Sequence, residues 1–365
     1  MGRRKEKEMK STQLAEAWKE LLVGQDHFID KVTPYVVRAM AGLNAPGKPI
    51  AIFLLMGPTG TGKTRAAETL ATVLHGDEKN LLRIDCAEFQ MEHEVAKLLG
   101  APPGYLGHRE TQPIINQQKL AAVTSDKCTF SIVLFDEIEK AHASIHRVLL
   151  GIMDKATLRL GDNSSVNFDK TIIFMSSNLG AKEIAELFNH NFGFSVSNHD
   201  VKYKDISKAG LGAMGKKFPP EFQNRVDEVI TFKPLDEESL LKITAMELNK
   251  IRFHMYTALG AKCFCLSYDD PTIALLAKIG TSETYGAREL KRSINRNVLN
   301  PISDDILDGK IPAGSKVNCF VADDHIEWSV EEIVSETAPA EEVAVAVASN
   351  EPEGRRVKKA KRSDT

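Results

Sequence analysis

The segment Gly57-Pro58-Thr59-Gly60-Thr61-Gly62-Lys63-Thr64 carries the pattern G-x-x-x-x-G-K-[ST], whose chemistry is phosphate binding. Its glycines let the backbone curl so that successive N–H groups face phosphate oxygens, and a helix opening at Lys63 adds the positive end of its dipole. Lys63 is the residue to hold β- and γ-phosphates, and the Thr64 hydroxyl the one to ligate Mg²⁺. A second constellation, Ser131-Ile132-Val133-Leu134-Phe135-Asp136-Glu137, ends an apolar run on two acids. These suit a metal-binding carboxylate, Asp136, and a water-activating one, Glu137. Ser176-Ser177-Asn178 closes another apolar run. On residue chemistry alone Asn178 either orients water or the γ-phosphate, or serves the turn that Asn-Leu-Gly favours.

Elements must bring these residues together. Apolar runs at 51–56, 81–86, 131–136 and 171–176 alternate with helical patterns such as 63–75 and 138–154. That alternation predicts an α/β fold: a parallel sheet with helices on both faces, in which the carboxyl ends of the strands line one ligand crevice. Gly161-Asp162-Asn163 predicts a short hairpin over Leu158 to Phe168. A helix is expected from Thr12 to Leu22 and another after Gly24, ending before Gly42. Residues 189–217, rich in Asn, Gly, Ser and Lys, are expected to form a loop. Beyond Pro234 the pattern turns to helices at 236–260, 269–279 and 286–309 and a strand pair near 316–330, which predicts a smaller second domain. The expected organisation is a charged lead-in over 1–20, a large nucleotide-binding domain over 21–234, a small, mainly helical lid domain over 235–330 and a disordered charged tail over 331–365.

Composition narrows the classes. A chain of 365 residues is long enough for two or three folded units. Lys plus Arg 47 against Asp plus Glu 50 gives a net charge of -3, which argues against coating nucleic acid by bulk positive charge. The basic block from Arg355 to Arg362 reads as a solvated tail, with a nuclear-import or nucleic-acid role as the lesser alternative. No apolar run approaches the roughly 18 residues of a membrane span, so no membrane association is expected. The start lacks the apolar stretch of a secretory signal. Five scattered cysteines without a Cys-x-x-Cys pair signal neither a disulfide framework nor a zinc site, and a reducing cytoplasm is the expected location. His142 and His146 stand four apart on a helix without a third ligand, which favours packing over metal binding.

The ordered motifs from Val23-Gly24-Gln25-Asp26 through Gly100-Ala101-Pro102-Pro103-Gly104-Tyr105-Leu106-Gly107, Asp136 to His142, Ser176 to Gly180 and Pro220 to Asp227, to Tyr285-Gly286-Ala287-Arg288, resemble a Clp-family AAA+ ATPase. The likeness is to the second ATPase module of ClpB- and ClpC-type unfoldases and runs from about Val23 to about Gly309. It implies an ATPase using ATP and Mg²⁺ that unfolds or remodels proteins as a ring, six subunits in the family. It also assigns roles. Val23 packs on adenine; Asn178 reads the γ-phosphate; Arg225 is an arginine finger delivered into the neighbouring subunit; Arg288 is a second sensor on the small domain. Without that resemblance Arg225 reads as a surface arginine paired with Asp227 or Glu228. Tyr105, flanked by Gly104, Leu106 and Gly107, is a buried anchor or an exposed gripper on residue chemistry; the resemblance implies a pore loop pushing polypeptide. Phe192-Gly193-Phe194 lies where protease-docking relatives carry a loop for a ClpP-type protease. No counterpart of the N-terminal, first ATPase or coiled-coil middle domain of ClpB precedes this module in the sequence, so a single ring without Hsp70 collaboration is expected. A nucleotide-switched scaffold and a nucleic-acid motor are the rival readings.

Overall fold

The computed structural model describes residues 11–100, 113–189, 203–260, 263–280 and 287–331. Expectations for 1–10, Gly104 to Gly107, Phe192 to Phe194, Tyr285-Gly286 and the tail after Glu331 lie outside them. The chain divides into two compact units, with the boundary after Asp236.

In the first unit the strands are β1 (Ala51–Met56), β2 (Leu82–Asp85), β3 (Ser131–Asp136), β4 (Thr157–Arg159), β5 (Ser165–Asn167), β6 (Thr171–Ser177) and β7 (Glu228–Thr231). Five of them form a parallel sheet in the order β2-β3-β6-β1-β7, while β4 and β5 pair as an antiparallel hairpin. Every residue of β1, β3 and β6 is buried, as expected of parallel strands covered on both faces. Alternation along the strands then sorts the side chains into two layers. Ile52, Leu54, Met56, Val133, Phe135, Ile173 and Met175 join one core with Ile145, Leu149 and Ile152 of helix Ala143–Lys155. Ala51, Phe53, Leu55, Ile132, Leu134, Ile172 and Phe174 join the other, beneath helices Ser11–Leu21, Asp26–Met40 and Lys63–His75. Phe53 stacks on Phe174 with centroids 5.3 Å apart. Truncating such a buried ring costs about 3–5 kcal/mol.

Three features depart from the sequence reading. The lead-in is part of the core from helix Ser11–Leu21 onward: Leu14 and Trp18 are buried, and the Trp18 indole N–H donates to Thr69 Oγ1 at 2.9 Å. A fifth strand, β7, pairs with β1; only four residues long and beginning on Glu228, it carries too little apolar pattern to stand out. Within the expected loop 189–217, residues Tyr203–Lys217 form a helix. Its glycines would each cost about 1 kcal/mol against alanine in isolation, but burial of Ile206, Ala213 and Met214 opposes that cost. Gly210 has a packing reason, because a Cβ there would lie 2.7 Å from Thr231 Oγ1.

The second unit packs helices Glu237–Leu259, Asp270–Ile279 and Ala287–Ile294, the last continuing through a π turn into Asn300–Leu307, against a three-stranded sheet. Its strands are β8 (Cys265–Tyr268), β9 (Lys316–Ala322) and β10 (His325–Glu331), with β9 parallel to β8 and antiparallel to β10. Leu248, Phe264, Leu276, Leu290, Ile294, Val298, Ile302 and Val317 form its core. Among the described residues no helix is long and apolar enough to cross a membrane. All five cysteines are free thiols.

Candidate functional site

Strand order decides which side chains can meet. Because β6 lies between β3 and β1, the residues after its carboxyl end stand between the acids that end β3 and the loop that leaves β1. Gly57 to Gly62 turn from β1 into helix Lys63–His75, with Gly57, Gly60 and Gly62 at φ 134°, 76° and 98°. At Gly57 a Cβ would lie 2.8 Å from the Phe232 carbonyl oxygen, so the loop and the end of β7 leave no room for a side chain there. Gln25, fully buried, fixes the same corner: its amide donates to the Thr61 carbonyl at 3.2 Å and the Lys233 carbonyl at 2.9 Å, and its Oε1 accepts from the Lys233 N–H at 3.3 Å. Val23, two residues earlier, is half-buried.

Lys63 crosses the mouth of the loop. Its ammonium donates to the carbonyls of Gly57 and Pro58, both at 2.7 Å, and to Asn178 Oδ1 at 3.0 Å. The Asn178 amide nitrogen in turn donates to Glu137 Oε1 at 3.3 Å. Lys63, Asn178 and Glu137 thus form a continuous polar line across three adjacent strand ends. Beside it, Asp136 is buried, with Oδ1 accepting from the Ser176 hydroxyl and Oδ2 from the Thr64 hydroxyl at 3.4 Å. A hydroxyl and a carboxylate so close together are a hard-oxygen donor set that suits Mg²⁺, and the glycine cradle at a helix N-terminus suits phosphate.

Glu137 departs from ordinary backbone geometry. It sits at φ 55° in the left-handed region, a position that costs of order 1 kcal/mol or more for a residue with a side chain. The Ser176 hydroxyl accepts its N–H at 3.0 Å, and Lys140 bonds its Oε2 at 2.5 Å, which raises the lysine pKa. Glu139 accepts the Asn178 backbone N–H at 3.0 Å. The strained residue is therefore held by side chains on both sides. Lys140 and Glu139 fall within the motif Asp136 to His142 but receive no role from it; the i, i+3 spacing of Glu137 and Lys140 is the signal that could have supplied one.

Arg225 lies just beyond the short helix Pro220–Gln223, and its partners are Asp154 and Glu221 rather than Asp227 or Glu228. Its Nε donates to Asp154 Oδ1 at 2.5 Å, and Nη1 to the Glu221 carbonyl at 2.8 Å. The Asp154 hydrogen bond raises the arginine pKa, and the same bond lowers that of Asp154. Asp227 instead accepts the Ile52 N–H at 2.8 Å, and Glu228 pairs with Lys31 at 2.9 Å. Arg288 belongs to helix Ala287–Ile294 of the second unit. His142 accepts from the Ser144 N–H at the start of its helix, and His146 packs against Phe218 and Phe222. Among the described residues no cluster of three candidate metal ligands from His, Cys, Asp and Glu is present.

Residues 48–229 match the family described as AAA domain (Cdc48 subfamily), and residues 235–319 match the C-terminal, D2-small domain of ClpB protein. The chaperone protein ClpB of Vibrio cholerae is 36% identical over 305 residues, which is 84% of this chain and 33% of that relative. ClpB of Meiothermus ruber is 38% identical over 294 residues, 80% of this chain and 32% of the relative. The ATP-dependent Clp protease ATP-binding subunit ClpC of Staphylococcus aureus is 36% identical over 318 residues, 87% of this chain and 37% of the relative. The chain thus spans about a third of the length of the curated relatives it matches. A closed-state cryo-EM reconstruction of Hsp104 with ATPγS and FITC casein superposes with a TM-score of 0.72 at 30% identity, covering 88% of this chain and 52% of that one. Two family matches in series and relatives along most of the sequence agree with the strand order and the phosphate loop: the chain belongs to the AAA ATPase family, as an AAA domain followed by a ClpB-type small domain.

Proposed function

We propose that this chain hydrolyses Mg·ATP at the seam between adjoining copies of itself, assembled as a ring and in the family manner a hexamer, and uses the energy to unfold or remodel protein substrates. The observation that supports the reading is the polar line Lys63–Asn178–Glu137 beside Asp136 and Thr64 at neighbouring strand ends, side chains whose chemistry suits phosphate binding, γ-phosphate reading, proton abstraction and metal ligation. Lys63 leaves the loop carbonyls for the β- and γ-phosphates. Glu137 takes a proton from the attacking water, and Asn178 holds that carboxylate in line with the phosphate. Thr64 and Asp136 would hold Mg²⁺, which would supply charge neutralisation for the phosphoryl group. Val23 packs on the adenine. Arg225 acts in the neighbouring subunit's site, offsetting negative charge as the phosphoryl group transfers, and Arg288 couples the small domain to the nucleotide.

The substrate step is assigned to Gly104-Tyr105-Leu106-Gly107, with Tyr105 pushing polypeptide through an axial channel. Free thiols throughout suit a reducing compartment such as the cytoplasm. Tyr105→Ala is expected to keep ATP turnover while losing ATP-dependent unfolding of a tagged fluorescent protein; unfolding that survives would remove the pore loop from the account. A second reading, the regulatory ATPase of a ClpP-type protease docked through Phe192-Gly193-Phe194, is favoured by the ClpC relative, whose name gives it as a Clp protease subunit. ATP-dependent co-purification with a ClpP-type protease, lost on Phe192→Ala, tests it.

A further inference from the structure

One cation at the site has no part in the scheme above. Arg83 lies on β2, next to β3, in register with Leu134 and therefore on the same face as Asp136 two residues on. A long side chain spans that diagonal, and Arg83 Nη2 lies 2.5 Å from Asp136 Oδ2. This is the oxygen that faces Thr64; the other, Oδ1, is taken by Ser176. A guanidinium of this chain and a Mg²⁺ at Thr64 would therefore bid for one and the same carboxylate oxygen.

The pair is lopsided. Asp136 has a side chain only 9% exposed and needs a compensating charge, whereas Arg83 is 50% exposed and can leave into water at little cost. It also has somewhere to go. Arg83, Ile84, Asp85, Glu88, Phe89 and Ile114 line a shallow cavity of about 230 Å³, in which Asp85 and Glu88 are exposed carboxylates. A displaced guanidinium can re-pair there without crossing the protein interior.

We propose that Arg83 is a built-in counter-cation that competes with Mg²⁺ for Asp136, so that metal occupancy is set by an exchange between the two rather than by the carboxylate alone. The proposal rests on Asp136 being a Mg²⁺ ligand. Its effect is to keep the buried carboxylate neutralised whichever cation is present, and to raise the Mg²⁺ concentration at which nucleotide is held with its metal.

The test is a Mg²⁺ titration of the binding of fluorescent mant-ADP to the full chain, with affinity in EDTA as the reference. Arg83→Gln is expected to lower the half-saturating Mg²⁺ about twofold to fivefold, the range for a half-exposed ion pair. Its affinity in EDTA should change by less than that midpoint does. Arg83→Lys, which keeps the charge without the planar fork, should fall between Arg83→Gln and the parent. A midpoint that stays put or rises in Arg83→Gln overturns the proposal. So does weaker binding in EDTA with the midpoint unchanged, which would make Arg83 a phosphate ligand. Asp136→Ala should abolish the Mg²⁺ dependence; if that dependence persists, the metal assignment of Asp136 has failed and the exchange falls with it.

Discussion

Lys63 and Asp136 are 8% and 6% exposed, and both are engaged from adjacent strands whose positions the sheet dictates. Arg225 stands 25% exposed just past a four-residue helix, and its two carboxylate partners are 43% and 62% exposed. The first corner is preorganised: removing any one partner leaves a buried charge or dipole uncompensated, which the protein resists. The second is exchangeable, since surface pairs of this kind contribute about 0–1 kcal/mol and can be traded for another anion at small cost. An account in which nucleotide is gripped within one chain, but cut only when a neighbouring chain supplies a cation, needs this division between a fixed corner and a free one.

The comparison can be broken by mutation. The largest effect is expected at the exchangeable corner: Arg225→Ala should cost about 10³–10⁵ in turnover, as for fingers in other nucleotide hydrolases, with nucleotide affinity nearly unchanged. Next, Glu137→Gln should lower turnover about 10²–10⁴-fold while ATP binding and assembly remain, because it loses the base and keeps the phosphate contacts. Both are read by steady-state phosphate release alongside nucleotide affinity. Gln25→Ala, which removes the buried hydrogen bonds to the Thr61 and Lys233 carbonyls and from the Lys233 N–H, should cost about 1–3 kcal/mol in chemical denaturation, a loss typical of the fixed corner. Asp154→Asn should cost less than about fivefold in turnover if the arginine is free to change partners. A large loss there would place Arg225 in the fixed class.

The smallest effect concerns pH. His27 Nε2 donates to the Thr231 carbonyl at 3.0 Å and therefore carries the ring proton. Burial, with Lys233 and Lys31 adding to it, lowers its pKa from 6.5 to about 4. The folded pKa is depressed, so the unfolded chain binds the extra proton between those values. Its contribution is thus fully present above about pH 6.5 and is lost as pH falls toward 4. His27→Gln should flatten the stability profile in that window by about one proton, near 1.4 kcal/mol per pH unit. An unchanged slope would mean that this histidine is not held neutral.

Much of the fixed corner was legible because its signals are local. The glycines and Lys63 announce a phosphate loop; three apolar runs ending in polar residues announce strands whose carboxyl ends must meet. What was not legible depends on pairs remote in sequence. Arg83 meets Asp136 across 53 residues and Arg225 meets Asp154 across 71, and neither carries a periodicity or turn signature. The left-handed backbone at Glu137 had no signal either, since no glycine or asparagine marks it. Strand β7 and the helix Tyr203–Lys217 were hidden by opposite causes. One is too short to show a pattern; the other carries glycines that tertiary packing tolerates, Gly210 against Thr231 being the visible case.

The central claim is that the exchangeable corner completes the fixed corner of another copy. Turnover per chain, measured as the chain concentration is raised through the range where mass measurements show assembly, tests it most directly. The account predicts a steep rise, at least about tenfold, that Arg225→Ala abolishes without preventing assembly. Turnover per chain that is already full in the monomer and stays flat across assembly would contradict it.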